Sequence, residues 1–384
     1  MADKPQYPER REKAKEYAKK RRRLFLIELG FGTFFLVILL LGDLSVRLRE
    51  LLDFPKPAAI ALYFAIIALG YALLTAPLSF YGGFILPRHY GLSRQTLPAW
   101  SIDRLKGGLL ALIIGIGMIE VVYWLLDRFP AYWWLLAAVF VITVSVVMAN
   151  LAPIVLLPIF YKLMPVDDPE LAQRMGRLAE KAGTRVRGIF VINLSRKMAT
   201  ANAALMGLGN TRRIVLGDTL LSHYSPEEIE VILAHELGHH AHGDIPKMLL
   251  AQSAMTLAGF YLANIALRGT LVPLGFQGIA DVAAFPLLML AIGGFVMLVG
   301  PLERAYSRNV ERAADEYALS MTDNPQAFIS AMTKLAHQNL AEADPGRLVE
   351  LVFYDHPPYQ KRVEHARRYA AARSQTPFDP SVSY

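Results

Sequence analysis

One short stretch of this sequence carries residue types and a spacing that suit metal binding. Residues 230–244 are EVILAHELGHHAHGD and place His235, Glu236 and His239 in the order H-E-x-x-H. On a helix, residues four apart lie one turn above each other, so both histidines can reach one ion. Glu236 lies one step round the helix, where a general base can take a proton from water at the metal. The pattern therefore predicts a zinc site with an adjacent base.

The composition limits which chemistry is open to the chain. Of its 384 residues, 54% are hydrophobic and only 19% are charged, a balance typical of a membrane protein. Cysteine is absent, so metal ligands must be histidines and carboxylates. The formal net charge of +7 is concentrated beside apolar segments, which favours anchoring at the cytoplasmic side of a membrane over nucleic-acid binding.

A second stretch offers a third protein ligand, which a tetrahedral catalytic zinc held by two histidines still lacks. The segment YSRNVERAADEYA, residues 306–318, presents Glu311 and Asp315 on one helical face. Glu311 could complete the coordination, and Asp315 could accept the spare imidazole N–H of a zinc-bound histidine. The residues that could ligate instead are Glu303, Glu316, His240 and His242.

Six apolar runs are long enough to cross the ~30 Å hydrocarbon core of a bilayer. They lie near residues 24–42, 57–80, 107–126, 132–157, 246–267 and 284–303. Lys and Arg are dense in residues 10–23 and 81–106 and sparse in the intervening connections. The positive-inside bias therefore places both termini, segment 158–245 and the region after 304 on the cytoplasmic side.

Segment 158–245 is the one long internal stretch of soluble character. Residues 168–183 have apolar positions at helical spacing, which predicts a helix ending at Gly183. The runs GIFVINL and RRIVLGD predict short strands, and TANAALMG could be a third. Ser225, followed by Pro226 and Glu228, predicts the capped start of the helix that carries H-E-x-x-H.

These elements predict a mainly α-helical polytopic membrane protein with about six transmembrane helices and a small α+β cytoplasmic cap that carries part of the active site. Residues 372–384 are predicted to form a loose tail. The predicted parts are a basic cytoplasmic N-terminal segment (1–23), a four-span membrane region (24–157), a catalytic α+β segment (158–245), a two-span membrane region (246–303) and a cytoplasmic catalytic C-terminal segment (304–384).

Several linked motifs resemble those of the type I CAAX prenyl proteases, which are polytopic membrane zinc metallopeptidases. The motifs are YGLSRQTLPAW (90–100), ANAALMGLGNTRRIVLGDTLL (201–221), HELGH (235–239), SRNVERAAD (307–315) and YDHPPYQKRV (354–363). The related heat-shock-type membrane metallopeptidases share H-E-x-x-H but have two spans ahead of it. Four predicted spans precede it here.

The resemblance implies a role for each polar residue of two central motifs, HELGH and SRNVERAAD. It implies one zinc ion per chain on His235, His239 and Glu311. It also implies that Glu236 is the base and that Asp315 braces the metal ligands.

The resemblance also implies two substrate-binding residues, Asn202 for the peptide backbone and His356 for the oxyanion. From the sequence alone, Asn202 could simply occupy a turn, and His356 could be a loop residue ahead of two prolines. The chain departs from the family pattern at Ala204, where the family has tyrosine. It also departs in having six predicted spans where eukaryotic members typically have seven.

We therefore expect an integral-membrane zinc endopeptidase that hydrolyses membrane-associated or CAAX-type substrates, in a bacterial inner membrane with its active site facing the cytoplasm. Its expected partners are a peptide or protein substrate and the lipid bilayer, and not nucleic acid. The alternative is a transporter or metal sensor that uses the His cluster without proteolysis, although transporters place ionisable residues at mid-membrane. A catalytically silent homologue is a further alternative, against which the intact Glu236 speaks.

Overall fold

The computed structural model describes residues 6–184, 186–207, 212–270 and 273–375. The predicted loose tail starts later than expected, because the last helix continues to Gln375. The rest of that tail, residues 376–384, lies outside the described part of the chain.

The N-terminal region is a set of long helices joined by short connections. In chain order they are α1 (Gln6–Leu41), α2 (Leu44–Leu51), α3 (Lys56–Phe80), α4 (Leu86–His89), α5 (Leu97–Arg128), α6 (Trp133–Leu151) and α7 (Leu157–Phe160). Two of the joins are single π-helical turns. The turn between α3 and α4 ends two residues before Pro87, and the turn between α6 and α7 contains Pro153. Proline lacks the amide proton of the regular helix, so a local change in winding at these points is expected.

A small four-stranded sheet follows, surrounded by helices. Its elements are β1 (Leu163–Pro165), α8 (Pro169–Lys181), β2 (Ile189–Ile192), β3 (Ala203–Met206), β4 (Arg213–Gly217), α9 (Asp218–His223) and α10 (Pro226–Ala241). The spatial order is β1-β2-β4-β3, with β2 and β4 parallel and the outer pairs antiparallel. The predicted third strand is thus β3, and it lies at an edge of the sheet.

The chain then returns to the membrane through two long helices and ends in three shorter ones. These are α11 (Asp244–Thr270), α12 (Phe285–Thr322), α13 (Pro325–Gln338), α14 (Arg347–Phe353) and α15 (Tyr359–Gln375). Helix α12 is apolar in its first half and carries the charged SRNVERAAD motif in its second. One continuous helix therefore joins the membrane region to the cap.

The six predicted spans and the helical membrane fold are confirmed. Within the described ranges, six helices are long and apolar enough to cross a membrane. Their contacts form one apolar core around Tyr63, Tyr123 and Trp133, where the Trp133 indole Nε1 donates to Asn264 Oδ1 at 2.8 Å. Leu69 and Leu298 are 61% and 76% exposed, as side chains facing lipid would be.

The cap has a second apolar core of its own. Met175 of α8 and Leu233 and Leu237 of α10 are buried there together with Phe328 of α13 and Val363 of α15. Burying a side chain of this size contributes about 1.5–3 kcal/mol. The C-terminal helices are therefore part of the same folded unit as segment 158–245, and α13 packs directly against α10.

Candidate active site

The helix that carries H-E-x-x-H starts at a complete capping box. Ser225 Oγ accepts from the backbone N–H of Glu228 at 3.3 Å, and Glu228 Oε2 accepts from the backbone N–H of Ser225 at 2.8 Å. Glu228 also accepts from Ser330 Oγ and Lys334 Nζ of α13. The predicted helix start is confirmed, and the capping box fixes the residue at which the helix carrying the motif begins.

A close helix crossing brings the two central motifs together. Gly238 of α10 lies against α12 so tightly that a Cβ at this position would be 3.1 Å from Ala314 Cα and 3.1 Å from Tyr317 Cβ. The absence of a side chain at Gly238 therefore allows the backbones to approach. Glu311 and Asp315, one turn apart on α12, consequently face His235 and His239 of α10.

Three of the predicted residues form a compact cluster. His235 Nε2 lies 3.2 Å from Glu311 Oε2, and His239 Nε2 lies 3.4 Å from Glu311 Oε1. One ligand atom from each of these three residues lies within 4.8 Å of the others, as binding a common ion requires. Glu311 is only 6% exposed, and among the described residues its Oε2 has no hydrogen-bond partner of acceptable geometry.

Two further carboxylates contact the other nitrogen of each imidazole. Asp315 Oδ1 lies 2.9 Å from His235 Nδ1, and Asp244 Oδ2 lies 3.1 Å from His239 Nδ1. A carboxylate that accepts from Nδ1 fixes the ring and leaves Nε2 free to bind a metal. Both Nε2 atoms point at the same Glu311 carboxylate, so the orientation is the one that a shared ion needs.

Electrostatics in this cluster favour a cation. Burial alone would lower the pKa of the His235 imidazole, but contacts with Asp315 and Glu311 outweigh it and raise this pKa to about 9. Burial likewise opposes a charge on His239, yet Glu311 and Asp244 raise its pKa. Three buried carboxylates thus surround two imidazoles, and a donor set of two nitrogens and one oxygen without sulfur suits zinc.

Arg362 of α15 completes the network from a third side. Its Nε and Nη2 donate to the two oxygens of Asp315 at 2.8 and 2.5 Å, a fork that matches the carboxylate plane. Its Nη2 also lies 3.4 Å from His235 Nδ1. Because Asp315 is 2% exposed, a partner of this kind is needed to keep it ionised.

His356 lies beside the cluster rather than in a distant loop. Its Nε2 is 3.1 Å from Glu311 Oε1, and its Nδ1 is 2.8 Å from Asp355 Oδ1. These two contacts raise the pKa of His356 to about 10. The buried Pro357 and Pro358 fix the backbone that follows, which helps to hold the imidazole against Glu311.

A cleft of about 380 Å³ opens next to these residues, with His235, Glu236, His356 and Arg362 in its walls. Asn202 also lines this cleft, directly before the edge strand β3. Asn339, directly after α13, holds Ala201, accepting from its backbone N–H at 3.0 Å and donating to its carbonyl at 3.2 Å. The chain is therefore rigid at the point where Asn202 faces the cleft.

The alternative ligands lie outside the cluster. Glu316 is exposed and its Oε2 lies 3.0 Å from His365 Nε2. Glu303 is also exposed, and it lies on α12 about two turns before Glu311, nearer the membrane-spanning half of the helix. His242 packs against Tyr317, with ring centroids 5.6 Å apart. In the part of the chain that the structure describes, His235, His239 and Glu311 are the one group of this kind.

Two polar residues of the site were missed by the sequence analysis, namely Asp244 and Arg362. Asp244 follows His239 by five residues, past the end of α10, so no helical periodicity connects them. Arg362 is separated from Asp315 by 47 residues. The only sequence signal for Arg362 was its place in the YDHPPYQKRV motif.

Two protein-family models together match nearly the whole chain. The model of peptidase family M48 matches residues 165–370, which include both central motifs, the cleft and Arg362. The chain belongs to peptidase family M48. A second model, described as the CAAX prenyl protease N-terminal domain with five membrane helices, matches residues 5–162 of this M48 chain. Four helices of spanning length lie in that range of the described structure, together with the short α2.

Three relatives show how far the similarity extends. An uncharacterized metalloprotease, YhfN of Bacillus subtilis, is 29% identical over 92% of this chain and 85% of its own length. CAAX prenyl protease 1 of Saccharomyces cerevisiae is 30% identical over 76% of this chain and 68% of its own length. The crystal structure of S. mikatae Ste24p has the same fold, with a TM-score of 0.83, 23% identity and coverage of 93% and 89% of the two chains.

Family membership settles the class of the protein. The M48 chain is a metalloendopeptidase of a membrane, as its sequence motifs predicted. The transporter and heat-shock-type alternatives are not favoured, because the chain matches the peptidase family M48 model and the CAAX prenyl protease N-terminal model.

The pairing of Asp315 with Arg362 can be tested by a double-mutant cycle. We expect Asp315→Asn and Arg362→Gln each to lower metal affinity or kcat/KM by about 10- to 100-fold, because both loosen the same imidazole. The double variant should be no worse than either single one, since the two residues act through one contact.

Metal content by mass spectrometry and peptide cleavage are the two measurements for this cycle. Arg367→Gln, an exposed position on the same helix α15, is the matched control and should behave as wild type. Full metal content and full activity in Arg362→Gln would show that the fork to Asp315 has no part in the site.

Proposed function

We propose that this chain is a zinc-dependent endopeptidase in which His235, His239 and Glu311 hold one zinc ion. The observation that carries this proposal is the convergence of the three side chains within 4.8 Å, with Asp315 and Asp244 on the outer nitrogens. When bound, zinc supplies a Lewis acid that polarises the scissile carbonyl and makes a water acidic enough to attack near neutral pH.

The side chains around the cluster have the positions that peptide hydrolysis requires. Glu236 lines the cleft beside His235, so its carboxylate can take a proton from the attacking water and give it to the leaving amine. His356 Nε2 faces the same opening and can donate to the carbonyl oxygen as negative charge develops there. Asp315 keeps the His235 ring oriented throughout.

We infer that the peptide binds as an extended strand along β3. This strand lies at the edge of the sheet, pairs only with β4 among the described strands, and begins directly after Asn202. An edge strand offers free backbone donors and acceptors to an added strand. Asn202 can then bind the substrate backbone at the scissile bond. Ala204 leaves more room for the substrate than the tyrosine that the CAAX prenyl proteases have at this position.

The substrates that we propose are membrane-associated polypeptides, including CAAX-type ones. The site is built on α12, which leaves the membrane region only a few turns before Glu311. A scissile bond in the cleft is therefore close to the bilayer surface. Backbone pairing along β3 recognises extended conformation more than side-chain identity, which supports a broad preference.

The location that we propose is a bacterial inner membrane, with the active site on the cytoplasmic face. The support is the density of Lys and Arg in residues 10–23 and 81–106, on the side where the cap lies. We also propose the division of the chain that the sequence predicts. It consists of a basic N-terminal segment, a four-span membrane region, a catalytic α+β segment, a two-span membrane region and a catalytic C-terminal segment.

The zinc proposal predicts a separation between metal binding and turnover. Glu236→Gln should keep stoichiometric zinc and lose nearly all peptide cleavage, because the base is removed and the ligands remain. His235→Ala, His239→Ala and Glu311→Ala should lose most of the zinc. If Glu311→Ala kept its zinc while Glu303→Ala or Glu316→Ala lost it, the third ligand would be wrongly assigned.

The substrate proposal predicts a graded response to a lipid anchor. One peptide should be cleaved faster with a farnesyl group than without it, and an unrelated acyl anchor should restore much of the rate. Rates in detergent measured with the three peptides provide the comparison. Strict dependence on farnesyl would contradict a broad preference, and equal cleavage of the soluble peptide would contradict a need for a membrane anchor.

The proposed orientation predicts which positions are accessible from each face. Because the chain has no cysteine, single replacements Gln95→Cys, Thr200→Cys, Glu50→Cys and Phe129→Cys can be labelled without background. An impermeant thiol reagent should reach the last two in intact cells, and the first two only after the membrane is opened. Labelling of Thr200→Cys and Glu50→Cys from the same face would overturn the topology.

A further inference from the structure

The chain segment that leads into β3 presents its backbone groups alternately to two sides. On the side of the sheet, the Thr200 carbonyl accepts from Thr219 Oγ1 at 2.8 Å, and the Asn202 carbonyl accepts from the Gly217 backbone N–H at 2.8 Å. In extended backbone, the N–H and C=O groups of residues i and i+2 point the same way. The odd-numbered residues of this segment therefore face the outer side, on which β3 has no neighbour among the described strands.

Another part of the chain already occupies the first positions on this outer side. The Lys197 carbonyl accepts from the Arg94 backbone N–H at 2.9 Å. The Ala199 N–H donates to the Leu92 carbonyl at 3.0 Å. Residues 92–94 thus act as a short antiparallel partner, and they fill the outer side as far as Ala199.

The next outward residue, Ala201, is paired with a side chain instead of a strand. Asn339 Oδ1 accepts from the Ala201 N–H at 3.0 Å, and Asn339 Nδ2 donates to the Ala201 carbonyl at 3.2 Å. A carboxamide carries the same donor and acceptor groups as a backbone peptide unit, so this pair reproduces the two hydrogen bonds between residues of adjacent antiparallel strands. Asn339 therefore takes the place of one residue of an added strand.

The turn that presents Asn339 is held in a strained conformation. Helix α13 ends in a Schellman motif, in which the Ala341 N–H donates to the Ala336 carbonyl at 2.9 Å. Leu340 occupies the left-handed position of this motif, with φ of 48°, where glycine is usual because a side chain is strained there. Leu340 is only 5% exposed and packs against Ala14 of α1. This burial offsets the strain and fixes the position from which the Asn339 side chain reaches the edge.

Two outward residues of β3 remain open to a peptide. Ala203 and Leu205 continue the series, and within the described ranges neither has a backbone partner on the outer side. Ala203 lines the catalytic cleft together with Asn339 and Glu236. Leu205 lines a separate cavity of about 520 Å³ beyond the cleft. A peptide that pairs with β3 therefore starts beside Asn339 and extends away from Glu236.

We propose that Asn339 is a specificity-determining residue that ends the strand-pairing surface and thereby sets which peptide bond lies at Glu236. This inference rests on the proposed peptidase function and on the proposed binding of the peptide along β3. Because Asn339 covers Ala201, the substrate pairs only with Ala203 and Leu205, on one side of the scissile bond. These two residues lie about 7 Å apart, so they recognise roughly four extended substrate residues.

The first test maps the cleaved bond. The full-length zinc enzyme in phosphatidylcholine nanodiscs cleaves one lipid-anchored peptide, and mass spectrometry identifies the products. We expect the wild type to cleave mainly one bond. Asn339→Ala uncovers the Ala201 N–H and C=O, so the peptide can slide towards Ala201. A second product should appear, displaced by two residues into the segment that pairs with β3, because outward groups recur at every second residue.

Two variants of the same turn are the matched controls. Gln338→Ala removes the neighbouring carboxamide, whose Nε2 donates to the Ala199 carbonyl at 2.7 Å. Ala199 stays paired with Leu92 through its N–H, so its outer side stays closed and cleavage should remain at the wild-type bond. Asn339→Asp keeps the size of the side chain and the acceptor for the Ala201 N–H. It should also cleave the wild-type bond, at a lower rate.

A second test measures the register of the peptide without turnover. Binding of peptides that carry single backbone N-methyl groups is measured on the Glu236→Gln variant by fluorescence anisotropy. The carbonyls of Ala203 and Leu205 each accept one peptide N–H, so methylation at two positions, two residues apart, should weaken binding by about 10-fold each. Adding Asn339→Ala should make a third position sensitive, two residues nearer the catalytic cleft.

The outcomes separate this inference from the function on which it rests. An unchanged cleavage site in Asn339→Ala, with only a lower rate, would mean that Asn339 merely clamps Ala201, and the inference would be wrong. If Asn339→Ala does not cleave, the N-methyl scan decides, and two sensitive positions instead of three would contradict the inference. A wild type that cleaves no peptide would count against the proposed function itself.

Discussion

The approach of α10 to α12 at Gly238 is the contact on which the rest of the structure depends. With Ala314 Cα and Tyr317 Cβ each 3.1 Å from the place where a Cβ would stand, a side chain at Gly238 requires the helices to shift apart by a few tenths of an ångström. Separation would move His235 and His239 away from Glu311, and a metal cluster tolerates only tenths of an ångström of such movement. The positions of His235 and His239 relative to Glu311 thus depend on a glycine at position 238.

This close contact also creates an electrostatic problem that the surrounding residues solve together. Glu311 and Asp315 are buried on the face of α12 that meets α10, and isolated buried carboxylates are costly. The two imidazoles and the Arg362 fork offset part of that cost, since each carboxylate oxygen of Asp315 has a donor. The remaining negative charge, concentrated at Glu311 between two Nε2 atoms, makes the cluster a good host for a divalent cation. Stability of the cap and affinity for the metal are therefore linked.

The sequence predicted the parts of this site that depend on local spacing. His235 with His239, and Glu311 with Asp315, are each four residues apart on one helix, so helical geometry alone predicts a shared face. The spans were predictable because a bilayer demands long apolar helices. Asp244 and Arg362 could not be predicted, because their contacts depend on how α11 and α15 pack rather than on periodicity.

The same limit applies to strand β1. It is only three residues long, has no alternating pattern, and exists because it pairs with β2. A segment as short as Leu163–Pro165 has too little local signal to be distinguished from a turn, so its structure is decided by the partner strand. The membership of α13 and α15 in the cap core was likewise decided by packing rather than by sequence spacing.

The N-terminal helix shows why the cap and the membrane region form one functional unit. Residues 1–23 were predicted as a basic cytoplasmic segment, yet α1 runs through them from Gln6 and packs on the C-terminal helices. Arg22 pairs with Glu342, which also accepts from the Tyr354 hydroxyl at 2.9 Å, two residues before His356. Phe25 and Phe353 stack edge to face, with centroids 5.8 Å apart. Glu342 and Tyr354 line the catalytic cleft, so the first membrane helix supports a wall of the cleft from behind, and the soluble segments alone would lack this support.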